Sequence, residues 1–213
     1  MPSKNTLLSW IPEYVQIFNQ YMPLPVPEIH FAIATESALE KVQKDSIAAV
    51  ESDSEPRLSG EWAGITFPGK KGSAVVMRAS SIHGKQDFRH YLWHEIGHAY
   101  AFAYEGDVRQ RITEQKQRRA YHIWAEFIAD VISRKVGNSS GNPVGFTPTT
   151  NLKKALSGNI AELAFYCSAA YFGAGLPEVP ENINNLAALL KEKMKEERYW
   201  EIDMLFIEKI GSV

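Results

Sequence analysis

WHEIGHAY, residues 93–100, is the stretch on which the reading of the whole chain turns. Its two histidines, His94 and His98, stand four residues apart, so a helix stacks them on one face. Imidazoles placed that way can share one zinc ion at about 2.0–2.1 Å. Glu95 follows the first histidine directly. It need not ligate, and it is placed to take a proton from a metal-bound water. A bare HExxH match also describes a surface helix with two histidines and a solvated glutamate, but the flanks argue against that. Gly97 costs a helix interior about 1 kcal/mol relative to alanine, which points to a close approach to the helix backbone. The surrounding YLWHEIGHAYAFAY is mostly apolar and aromatic. Such a helix is buried on most sides, where an unpaired carboxylate is costly. A metal and its water account for the histidines and the glutamate together.

A zinc site with three protein ligands needs one more donor. HEIGHAYAFAY has no glycine or histidine at the places where an HExxHxxGxxH pattern would supply it. The alternative is a carboxylate from a second helix. Glu126, in WAEFIAD, lies among Trp124, Phe127, Ile128 and Val131, and Asp130 follows four residues later on the same face. Two carboxylates on a largely apolar helix repel each other and are expensive to bury. Zinc would take Glu126, and the outer nitrogen of a ligating histidine would take Asp130. A solvent-facing acidic stripe is the plainer alternative. His122, one turn before Glu126, could donate to a substrate, replace Glu126 as ligand, or serve as a structural histidine. His90, one turn before His94, carries the same ambiguity. An oxyanion donor from the protein is also expected, with His122, Tyr121, Tyr166 and Tyr171 as candidates.

The remaining composition narrows the classes of function. The protein has 213 residues, a net charge of -2 and 45% hydrophobic residues. Nothing in that balance favours nucleic acid or an anionic membrane as partner. The basic stretch from Arg109 to Arg119 lacks interleaved aromatics and reads as a solvated helix surface. No apolar run is long enough for a membrane span, and no signal peptide is expected at the start. Cys167 is the only cysteine. That excludes an intrachain disulfide and a thiolate zinc cluster, leaves histidine and carboxylate as ligands, and fits a cytoplasmic compartment.

The pattern predicts an α+β fold, with a small mixed sheet packed on the HExxH helix and a mostly helical C-terminal part. Helices are expected at 5–21, from 35–37 to about 44, at about 87–104 and at about 119–136. Ser37 and Glu40 form an S-x-x-E capping pattern for the second of these. Strands are expected at 28–34, 61–67 and 73–79, the last two joined by a turn at PGKKG. Residues 1–136 form the catalytic core, 137–150 a linker, and 151–213 a helical subdomain packed on the core. Two or three helices are expected in that last part.

HExxH on one helix, followed by ExxxD on a later one, resembles the gluzincin arrangement of thermolysin-like metallopeptidases. The gap of 28 positions between His98 and Glu126, with the approach SSIHGKQDFRHYLWHEIGHAY, is similar to the ImmA/IrrE-type bacterial zincins. The resemblance covers roughly residues 60–133. It implies a zincin-like fold and one zinc ion held by His94, His98 and Glu126. It further implies Glu95 as general base, Asp130 as the carboxylate that orients the first histidine, and hydrolysis of a peptide or protein substrate. The competing reading is a non-catalytic interaction or regulatory protein on the same scaffold. An activating or regulatory protein partner is compatible with both.

Overall fold

A computed structural model describes residues 1–104, 115–146 and 160–171. Helix α1 (Lys4–Tyr21) starts at Ser3, whose hydroxyl accepts from the Thr6 backbone N–H at 3.1 Å. Leu7, Ile11, Tyr14 and Phe18 recur at helical spacing and are its buried stripe. Strand β1 (Ile29–Ala34) follows, then a single 3₁₀ turn, Glu36–Ala38, and α2 (Leu39–Ala49). The expected Ser37–Glu40 capping box does not form. Helix α2 starts without a hydrogen bond from any side group to its first turn, and Glu40 instead pairs with Lys44 at 2.6 Å, one turn on. Glu36 supplies the tertiary tie here, taking two hydrogen bonds from Arg78, each at 2.7 Å.

Strands β2 (Gly64–Gly69) and β3 (Gly72–Arg78) form a hairpin closed by Lys70 and Lys71. Gly72 takes φ of 89°, which a side chain would resist. The sheet order is β1-β3-β2, with β1 parallel and β2 antiparallel to β3. The fold is thus α+β around a small mixed sheet. Central β3 is buried on both faces, and its alternation sorts the two cores. Ala74 and Val76 pack with Leu39 and Ile47 of α2. Val75 and Met77 face the larger core, shared with α1 and the later helices.

Helix α3 (Lys85–Tyr104) lies at the centre of that larger core. Every residue from Leu92 to Ala101 is buried, matching a helix that is apolar nearly all round. Full burial of a side chain such as Phe88 or Leu92 contributes about 1.5–3 kcal/mol. Two of its polar tips find partners: Trp93 Nε1 donates to the Tyr14 carbonyl at 3.0 Å, and Tyr100 Oη accepts from the Leu24 N–H at 3.0 Å. Helix α4 (Gln115–Ser139) extends past the expected end at 136, so the first three residues of the expected linker are helical. Helix α5 (Ile160–Tyr171) packs against α4. Most of the basic stretch 109–119, and the helices expected beyond Tyr171, lie outside the described residues. No helix among the described residues is long and apolar enough to cross a membrane.

Candidate metal centre and its cleft

The contact between α3 and α4 is set by Gly97. A Cβ there would lie 2.7 Å from the Ala129 carbonyl oxygen and 3.0 Å from its Cα, so the two backbones touch. The small residue in the motif therefore answers to a helix–helix contact. One turn of α4 earlier, Glu126 meets the two histidines. His94 Nε2 lies 3.2 Å from Glu126 Oε2 and 3.2 Å from His98 Nε2. His98 Nε2 lies 3.7 Å from Glu126 Oε1. A tetrahedral ion with bonds of about 2.0–2.2 Å sets its ligand atoms about 3.3–3.6 Å apart, close to these separations. The donor set fits a metal: two neutral-capable imidazoles and a carboxylate, their ligand atoms within 4.8 Å of one another. Burial pushes the Glu126 carboxyl upward, but the charge of His98 and hydrogen bonds from both histidines outweigh it. The result holds Glu126 well below the usual carboxylate range.

Glu95 is buried beside this group without joining it. Thr66 Oγ1, on β2, donates to Glu95 Oε2 at 2.6 Å and lies 3.0 Å from the Glu95 carbonyl oxygen. Space for the Glu95 side chain depends on Gly64, where a Cβ would fall 2.5 Å from Glu95 Cγ. These residues open onto a cleft of about 340 Å³, whose other walls include Arg57, Phe102 and His122. Partial burial lowers the His122 pKa, opposed by Glu126 and assisted by His98 and Arg57. His122 reaches the cleft wall, one turn from Glu126, as its spacing suggested.

Asp130 is placed differently from its expected role. It is fully buried, but its carboxylate accepts from Arg134 Nε at 2.7 Å, from the Phe146 N–H at 3.2 Å and from the Ser168 hydroxyl. A cation at i+4 and two neutral donors satisfy it, and no hydrogen bond joins it to His94. His94 Nδ1 is buried without a hydrogen-bond partner among the described residues. Rings hold the first histidine instead: Phe146 meets it edge-on at 4.9 Å and Phe165 at 5.9 Å. Asp130 thus ties α4, α5 and the segment carrying Phe146 together.

His90 packs edge-on against Phe146 at 4.4 Å. Burial, then the charge of His94, push its pKa down to about 4, so it is neutral near pH 7. Tyr166 is fully buried in the core and is not among the described residues that line the cleft. The side chains of Tyr121 and Tyr171 lie outside the described residues. Thr66, Gly64, Arg57 and Phe146 are site residues that the motif does not announce. Thr66 and Gly64 carry one weak signal, their shared parity on a strand whose other face holds Phe67.

Comparison with protein-family models, with curated proteins and with solved structures found no match.

Proposed function

We propose that the protein is a zinc-dependent peptidase of gluzincin type. The observation that carries this is the convergence of His94, His98 and Glu126 from two helices, with Glu95 held beside them in one cleft. Zinc fits the donor set of two imidazoles and one carboxylate. Bound there, it would supply Lewis acidity toward water and a scissile carbonyl. Thr66 engages Glu95 Oε2, which fixes the side chain and leaves Oε1 to accept the water's proton. Glu95 can then return that proton to the leaving nitrogen. His122, at the cleft wall, is the candidate donor to the developing oxyanion.

The edge of the sheet favours an extended peptide as substrate. The Arg78 N–H donates to the Ala63 carbonyl at 2.8 Å, which sets the antiparallel alternation. Gly64 and Thr66 accordingly turn their backbone N–H and C=O groups away from β3, while Pro68 presents only a carbonyl, bonded by Ser52 Oγ at 2.5 Å. Among the described residues nothing pairs with the outer edge of β2 at Gly64 and Thr66, which flank Glu95, and a substrate backbone can pair there as an added strand.

Glu95→Gln keeps the size of the side chain and the metal ligands but cannot accept the proton. Zinc content and fold are expected to persist, with hydrolysis falling about 10²–10⁴-fold. A peptide-library cleavage screen on zinc-loaded wild type and variant measures this. Identical product profiles from the two proteins would refute the assignment.

A further inference from the structure

The segment between α2 and β2 has no helix or strand, yet it is fastened at defined atoms. Gln43 of α2 is fully buried, and its amide closes on the backbone of Arg57 from both sides. Gln43 Nε2 donates to the Arg57 carbonyl at 3.1 Å, and the Arg57 N–H donates to Gln43 Oε1 at 2.7 Å. Ser52 ties the same segment to β2 through the Pro68 carbonyl. A buried amide used in this way fixes the position of one backbone unit. That unit carries the cation lining the cleft of Glu95, His98 and Glu126.

Several other described cations have carboxylate partners: Lys44 with Glu40, Lys71 with Glu51, Arg78 with Glu36, Lys85 with Glu13 and Arg134 with Asp130. Arg57 has none among the described residues. Among the described residues lining the cleft, Glu95 and Glu126 would balance a divalent ion, which leaves the Arg57 charge in surplus. A guanidinium presents a planar fork matched to a carboxylate.

We propose that Arg57 is a specificity-determining residue that receives a carboxylate of the substrate, from either an acidic residue or the C-terminus of a peptide. The inference rests on the peptidase reading for the peptide nature of the ligand.

The test uses the zinc-loaded full-length protein and a set of fluorescent tripeptidyl hydroxamates, which anchor on the metal. Members differ only by Glu against Gln at each position in turn, or by a free C-terminal carboxylate against an amide. Wild type should favour the carboxylate member of one pair by about tenfold or more. That preference should shrink as ionic strength rises. In Arg57→Gln it should fall to within about twofold, with Arg57→Lys keeping part of it, because lysine retains the charge and loses the fork. The clamp uses only the backbone of Arg57, so the variants should unfold as wild type does.

Equal binding of every pair, or no binding of any member, overturns the proposal. So does a variant that keeps the preference, or one that weakens all members alike, which would indicate a role shared by every ligand. Which pair responds distinguishes the carboxylate of an acidic residue from a C-terminal one. A carboxylate preference lost in Arg57→Gln, in a protein that cleaves nothing in the library screen, would sink the peptidase reading and leave this inference standing. Cleavage with no such preference would do the reverse.

Discussion

Replacing Gly97 by alanine tests whether the contact between α3 and α4 sets the metal geometry. In an isolated helix the change is favourable by about 1 kcal/mol. Here the new Cβ would sit 2.7 Å from the Ala129 carbonyl oxygen, about 0.7 Å inside ordinary contact at 3.4 Å. The obstacle is backbone, and both helices are buried at this point, so nothing flexible can swing aside. Overpacking of this kind costs about 1–3 kcal/mol, which leaves a net loss of about 0–2 kcal/mol after the helix gain. The effect on the metal should be sharper. His94 and His98 are on α3 and Glu126 is on α4. Metal–ligand distances tolerate only about 0.2 Å, so a separation of several tenths of an ångström pulls Glu126 out of range. Zinc affinity should fall on the order of tenfold or more. Urea unfolding of the metal-free protein gives the first quantity, and competition with a chelating dye gives the second. A variant that is about 1 kcal/mol more stable and binds zinc as wild type does would refute the reasoning, because the contact would then be soft.

Two further substitutions separate the acids of α4. Glu126→Ala leaves two imidazoles and should weaken zinc by more than the roughly 10–100-fold typical of an outer partner; unchanged affinity would make His122 the third ligand. Asp130→Asn removes the charge opposite Arg134, whose side chain is only 12% exposed, and breaking such a buried pair costs about 3–5 kcal/mol. Urea unfolding should register that loss while zinc affinity in the folded protein stays near wild type. The opposite outcome, a stable fold with zinc weakened about 10–100-fold, would restore Asp130 to the histidine.

What could be read in the sequence followed the range of the interaction. His94, Glu95 and His98 are fixed by spacing within one helix, and the structure keeps them together. Glu126 required a second helix, yet a carboxylate among Trp124, Phe127 and Ile128 signals that something must compensate it. The same rule holds for Asp130, which is fully buried and compensated, but the rule does not name the partner. Arg134, four residues on, was the local answer, and the bond at 2.7 Å uses it. The capping pattern at Ser37 failed for a related reason: Glu40 has Lys44 within one turn, and Glu36 has Arg78 across the fold. Thr66, Gly64 and Arg57 were illegible as site residues, because their roles depend on how β2 and its preceding segment are set against α3.

Gly97 on α3 and Gly64 beside it show why the site needs both contacts at once. Gly97, on α3, lets α4 come close enough for Glu126 to face the histidines. Gly64, on β2, lets the sheet come close enough for Thr66 to hold Glu95. A side chain at either place would widen one gap and leave the other unchanged. The ligands would part while the base stayed in position, or the base would shift while the ligands stayed together. In the proposed peptidase, metal binding and proton transfer would thus depend on different packing contacts on one helix. A variant of the first contact should lose metal, whereas a variant of the second should lose turnover with the metal retained. A single rigid-body shift of α3 could not separate the two effects. Only a helix held independently on its two sides can do so.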